Sequence, residues 1–319
     1  MDRWLFTASG ETSRKARRPA GHLTTVKAMS STLISDDLVA RYSAGPSTAK
    51  VNQAKSLRKD VEEALGYEYQ VFLQGSYRNS TGVADLNDVD IVALSTTVHS
   101  TVGRGPALYP VTWDETFERV EERLDASPRF SGLVSRGDKC VKVDTDLAVD
   151  VVPAVYRHDP ALDPIEVFSF REGTRRDNYP RNHWQNGVTK NDEHHTDGAF
   201  KPTVRMFKRW ARNVLSDPKL APSFYIECAV HHVPDDQFSS DLALSFIGVG
   251  LHIIGDITRS DVVMSVAGDK DILVAAEWDP DKFEQFQREL AVSVMTAGKV
   301  LRATTSTEAN RLWREAFGE

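Results

Sequence analysis

Residues 74–94 read QGSYRNSTGVADLNDVDIVAL. One apolar run ends at Gly75-Ser76, and twelve residues after Ser76 the pair Asp88 and Asp90 opens a second apolar run. Side chains two apart on a strand point the same way, so these carboxylates share one face at one strand end. Two close carboxylates repel, and keeping both ionised at neutral pH requires a cation. Magnesium suits that need, because it takes one or two carboxylates and completes an oxygen shell with phosphate and water. At the end of the upstream strand, glycine lets a backbone N–H approach a phosphate and serine adds a hydroxyl donor. The alternative is a capping Asp88 beside an exposed Asp90.

A third acid bears on the choice. In DLAVDVVPAV, residues 146–155, Asp150 is flanked by Val149, Val151 and Val152, where an unpaired charge is costly. Asp144 and Asp146 share its parity but lie in a turn-like DTD, so Asp150 is the candidate; an acid at the rim of an edge strand is the alternative.

The rest of the chain sets bounds. Its 319 residues allow two lobes, and 40% hydrophobic with 27% charged residues is a soluble globular composition. A net charge of -7 disfavours a general binder of phosphate backbones and stable nucleic-acid binding. Residues 1–27 hold six basic and two acidic residues without an apolar periodicity, which reads as a flexible basic tail over 1–28 and a poor signal peptide. The apolar stretch Leu242 to Ile257 is interrupted by Ser245, His252 and glycines, so a core helix is expected and no membrane span. Two cysteines, Cys140 and Cys228, make no disulfide framework, and a reducing cytoplasm is the expected location.

Periodicity predicts two helices between Ser31 and Leu65 broken at Gly45-Pro46, a strand over 67–74 and its partner over 89–95. Thr112 and Glu115 form a capping box before Phe117, Val120 and Leu124. Strands are expected over 133–143 and 147–155, with Pro153 limiting the second. Residues 157–198 are polar and show little periodicity, after which helical patterns dominate: 200–215, 224–232, 240–254, 280–301 and 305–316. The expected organisation is therefore a catalytic α/β core over 29–156, N-terminal helices included, and a helical lobe over 157–319, with the ligand in the cleft between them.

The order Gly75-Ser76, Asp88-x-Asp90, then Asp150 resembles the DNA polymerase beta-like nucleotidyltransferases. QGSYRNST, NDVDIVAL, VDVVPAV, FKPTVRMFKRW and EANRLWREAFG narrow that likeness to the bacterial CD-NTases, relatives of cyclic GMP-AMP synthase and oligoadenylate synthase. The resemblance spans both lobes and implies an α/β (α+β) fold, with a mixed sheet in the core and an oligoadenylate-synthase-like helical C-terminal lobe. It implies that Asp88, Asp90 and Asp150 bind two magnesium ions, with manganese an alternative, and that Gly75 and Ser76 hold the donor triphosphate. Asp150 takes the place nearest the attacking ribose hydroxyl. Lys208 matches a lysine that reaches the triphosphate, and Ser223-Phe224 a serine that touches phosphate beside a ring that stacks on the base. Tyr225 is the alternative stacking ring, and a solvated charged face shared with Arg205, Arg209 and Arg212 is the alternative for Lys208.

The activity implied is a cytoplasmic, monomeric enzyme that joins ribonucleoside triphosphates, ATP among them, into a cyclic di- or trinucleotide. Pyrophosphate is released, and the diffusible product activates an effector in anti-phage (CBASS) defence. Nucleotidyl transfer to RNA, a protein or a small molecule is the alternative on the same fold, and a degenerate nucleotide binder the non-enzymatic one. Glu227, Cys228, His231 and His232 form a weak zinc candidate without a second pair of ligands. His194-His195 reads as a loop surface. Phosphate-loop, Rossmann and hydrolase-elbow signatures are missing.

Overall fold

A computed structural model describes residues 32–99, 112–157 and 164–319. The basic segment 1–28 lies outside the described residues. Helices α1 (Asp36–Ser43) and α2 (Thr48–Leu65) flank the Gly45-Pro46 break. The chain then forms β1 (Tyr69–Leu73), the single turn α3 (Gly75–Asn79) and β2 (Asp88–His99). Helix α4 (Trp113–Ala126) opens on the Thr112/Glu115 capping box.

Residues 133–143 form a hairpin instead of one strand. Strands β3 (Val134–Arg136) and β4 (Val141–Val143) pair antiparallel, and the turn closes where Gly137 N–H donates to the Cys140 carbonyl at 2.8 Å. Strand β5 (Ala148–Tyr156) runs parallel to β2 and antiparallel to β4. Pro153 is tolerated in the interval between the pairing of β5 with β4, which ends at Val151, and with β6 (Ile165–Ser169), which starts at Val155. Strand β7 (Thr174–Asn178) pairs with β6, so among the described residues the sheet has seven strands and continues past the boundary expected at residue 156.

One sheet face is apolar and carries Val89, Ile91, Val149 and Val151 against Leu57, Val61, Phe117 and Leu124 of α2 and α4. The opposite face begins with the acids and continues into a small cluster of Val92, Leu94, Ala154, Tyr156 and Ile165. Alternation along β2 and β5 separates the two faces.

Helices α5 (Pro180–Lys190), α6 (Phe200–Val214), α7 (Ser223–His232), α8 (Leu242–Gly255), α9 (Pro280–Gly298) and α10 (Ser306–Ala316) follow. Their core is rich in buried rings, among them Trp210, Trp278, Trp313, Phe246 and Phe286. Helix α1 and Ile34 just before it join this core, with Leu38 and Tyr42 buried and Tyr42 stacked on Phe317 at 4.1 Å. The first helix thus packs with the helical lobe, and not with the catalytic core to which its place in the chain assigned it. Its apolar stripe finds the larger apolar surface there. No helix among the described residues is long and apolar enough to cross a membrane.

Candidate active site

Parallel pairing of β2 with β5 sets Asp90 directly opposite Asp150, and Asp88 opposite Ala148. Register partners and alternate residues face the same way, so all three acids lie on one sheet face. Asp88 is exposed, whereas Asp90 and Asp150 are half-buried. Burial pushes the Asp90 carboxyl up to about 6, and the charges of Asp88 and Asp150 push in the same direction, with Lys208 opposing them.

The short turn α3 is locked to this strand. Gln74 N–H donates to the Asp90 carbonyl at 2.9 Å. Gly75 has φ +61°, and a Cβ built on it would collide with Asp90 Oδ2. Glycine is therefore required twice: by a left-handed backbone and by the carboxylate that fills the space where a side chain would start. The sequence argument for Gly75 invoked phosphate approach; the structure adds this contact with the acid.

Gly75, Ser76 and Asp90 line a cleft of about 270 Å³ together with Lys208, Ser223 and Phe224 from the helical side. The cleft thus gathers six of the eight candidate residues, and Asp88 and Asp150 stand on the same sheet face as Asp90. Ser223 opens α7. Phe224 is 39% exposed, with the His183 ring 6.0 Å away, while Tyr225 is occupied elsewhere, stacked on Trp278 at 5.6 Å and donating to Glu277 Oε2 at 3.2 Å. Between the two rings, Phe224 is the one that faces the cleft.

Lys208 is not part of a solvated face. It is 5% exposed, and its Nζ donates to Glu227 Oε2 at 2.7 Å and to Thr81 Oγ1 at 3.2 Å. Its basic neighbours on α6 grip the end of α1 and the loop between α3 and β2: Arg205 donates to the carbonyls of Ser43 and Ser80, each at 2.6 Å, and Arg212 donates to Asp85 at 2.9 Å.

The sequence argument missed Gln74, Arg78 and His183 and met Glu227 only as part of a weak zinc candidate. Glu227 binds Lys208, Thr81 and His183, so it shares no site with Cys228 or His231. His231 packs edge-on against Phe200 at 5.6 Å, and burial pushes it down to about 4. A charge inside the apolar run IECAV was the signal that could have found Glu227, by the reasoning that found Asp150. Gln74 lines the cleft with its buried Oε1 lacking a hydrogen-bond partner, and Arg78 lies 4.5 Å over the Trp184 ring at the cleft margin.

Among the described residues no three His, Cys, Asp or Glu side chains form a ready metal-binding group. The donor chemistry of the acids nevertheless fits magnesium. All are carboxylates on one face, one is pressed toward its neutral form by burial and by its neighbours' charges, and a magnesium shell is completed by phosphate oxygens and water.

Comparison with known proteins identifies the family. Residues 185–293 match the family model of the cGAS/DncV-like nucleotidyltransferase C-terminal helical domain. The chain is 32% identical over 266 residues to the cyclic UMP-AMP synthase of Rhodothermus marinus, covering 74% of this chain and 90% of that protein. It is 30% identical over 226 residues to the cyclic nucleotide synthase CdnE01 of Staphylococcus haemolyticus, covering 59% and 74%. The structure of the Rhodothermus marinus CdnE c-UMP-AMP synthase with Apcpp and Upnpp superposes with a TM-score of 0.67 at 27% identity, over 81% of this chain and 95% of that one. With 32% identity over nine-tenths of a cyclic nucleotide synthase, and the family's helical domain matched, the chain belongs to the bacterial CD-NTases and is a nucleotidyltransferase.

Proposed function

We propose that this chain joins ribonucleoside triphosphates into a cyclic di- or trinucleotide second messenger, in a magnesium-dependent reaction that releases pyrophosphate. The observation that carries the reading is the register of Asp90 against Asp150, which puts acids from two strands, with Asp88, on one sheet face, while Asp90 lines a cleft with Ser76, Lys208, Ser223 and Phe224. The likeness to a cyclic UMP-AMP synthase supports the product class.

Asp88, Asp90 and Asp150 would hold two magnesium ions, which supply charge neutralisation for the triphosphate and acidify the attacking hydroxyl. Ser76 and the Gly75 backbone orient the triphosphate, and Lys208 presents its ammonium from the cleft floor. Phe224 offers a face for base stacking, which reads base identity weakly. A ribose hydroxyl forms a bond to the α-phosphorus as the bond to pyrophosphate breaks, and Asp150 takes up the hydroxyl proton. A second such transfer within the linear intermediate closes the ring. The diffusible product would then signal infection by phage to an effector, with the enzyme acting as a monomer in the cytoplasm.

The test is incubation with α-labelled NTPs and magnesium, followed by phosphatase digestion and mass spectrometry. A phosphatase-resistant cyclic product, lost in the D88A/D90A double variant and without magnesium, is expected. Label on added RNA or protein, with no cyclic product, would replace cyclisation with transfer to an external acceptor. Product from D88A/D90A equal to wild type would refute the assignment of the acids.

A further inference from the structure

Glu227 has no part in the chemistry above, yet it is held from three directions. It is 4% exposed. Its Oε2 accepts from Lys208 Nζ at 2.7 Å and from the Thr81 hydroxyl at 2.8 Å, and its Oε1 lies 3.0 Å from His183 Nε2. Burial opposes its ionisation, but the Lys208 charge and the His183 contact overcome that and hold the carboxyl well below its usual range. An ionised Glu227 makes His183 Nε2 the donor.

The four side chains come from four segments: the loop after α3, then α5, α6 and α7. Thr81 N–H donates to the Ser76 carbonyl at 3.0 Å, so the network ends one hydrogen bond from the turn that bears the cleft serine. Lys208, His183 and Glu227 also line the cleft. A free lysine samples many rotamers, and a ligand that binds it must stop that motion. Here two acceptors fix Nζ before any ligand arrives, which lowers the ordering cost of binding.

We propose that Glu227 is a positioning residue for nucleotide binding: it orients the Lys208 ammonium and the His183 ring in the cleft and, through Thr81, latches the helical lobe to the back of the α3 turn. This rests on the reading of the cleft as an NTP site.

Full-length wild type, E227Q, K208M, K208M/E227Q and T81V are compared by thermal unfolding, by equilibrium binding of non-hydrolysable analogues of the four NTPs with magnesium, and by cyclic product formation. Removing one partner of a buried pair leaves the other uncompensated, so E227Q and K208M should each melt lower, and the double variant should recover most of that loss. Analogue affinity should fall on the order of tenfold in E227Q, although Lys208 is present, and should not recover in the double variant. T81V keeps both charges and loses only the hydroxyl's hydrogen bonds, so it should melt below wild type but above E227Q, and yet bind the analogue several-fold more weakly. Affinity in E227Q and T81V within about twofold of wild type, or recovery of affinity with melting temperature in the double variant, would make the network a stability device and overturn the proposal. Failure of wild type to bind any analogue overturns it too. A wild type that binds analogue but makes no cyclic product refutes the proposed function and leaves the binding comparison decisive here.

Discussion

Replacing Gly75 by alanine probes the contact that joins the phosphate turn to the acids. The backbone there has φ +61°, and an added Cβ would overlap Asp90 Oδ2 and lie 3.1 Å from its Cγ. A left-handed backbone costs an L-residue ~1–2 kcal/mol, and a methyl forced into filled space adds ~1–3 kcal/mol. Gly132 is the control, because its φ is +74° and nothing lies within 4 Å of an added Cβ. G132A should therefore carry the backbone cost alone, and G75A both. At ~2–4 °C per kcal/mol, calorimetry should separate the two melting temperatures by ~2–12 °C. Activity should separate them further. Asp90 must yield to the new methyl, and misplacement by about 1 Å at a reacting centre costs ~100-fold. Cyclic product per folded molecule, measured below both melting points, should fall by about that factor in G75A and stay near wild type in G132A. If G75A melts with G132A and keeps its activity, Asp90 does not occupy that space in solution.

Asp90 makes a prediction about pH. Burial and the two neighbouring acids raise its carboxyl to about 6, above the ~3.9 of an unfolded aspartate. The folded chain binds this proton more tightly, so the group favours folding below about pH 4, and that contribution is lost as pH rises through about 6. Metal-free D90N should melt above wild type near pH 8 and lose that advantage near pH 4, while magnesium should raise the wild-type melting temperature more near pH 8 than near pH 5. A D90N advantage independent of pH would remove the repulsion argument. For the stacking ring, F224A should weaken nucleotide binding by ~1–3 kcal/mol with little change in melting, because the ring is 39% exposed. Y225A should do the reverse, since Tyr225 is stacked on Trp278; binding loss in Y225A alone would exchange the two roles.

What could be read in the chain was local. The strand parity of Asp88 and Asp90, the Thr112/Glu115 capping box and the apolar spacing of α2, α6 and α10 are properties of residues within a few positions of each other, and all are present in the fold. What could not be read depends on pairing across the chain. The hairpin over 133–143 turns at Gly137, where an isolated glycine within an apolar pattern is ambiguous between a bulge and a turn. Strand β7 escaped notice because Thr174, Arg175 and Arg176 need only a partner strand and no apolar face marks it, while the apolar residues of β6, Ile165, Val167 and Phe168, form a run of only a few residues inside an otherwise polar stretch. Helix α1 carries an amphipathic pattern that names no recipient. Phe224 and Tyr225 are adjacent and chemically alike, and only the position of Trp278 separates them.

The buried acids show how one sequence signal leads to two chemistries. Asp150 between valines and Glu227 within IECAV both place a charge in an apolar run, and each demands a partner. For Glu227 the chain supplies that partner: Lys208 and His183 surround it, and its carboxyl is held below the usual range. For Asp90, set opposite Asp150, the chain supplies more acid, and its carboxyl is pushed up. A carboxylate already neutralised from within can orient other groups but has little need of an added ion. One crowded by its own kind gains most when positive charge arrives from outside. The opposite directions of the two shifts fit the proposed roles: Glu227 holds the cleft in shape, and Asp90 gains from a cation.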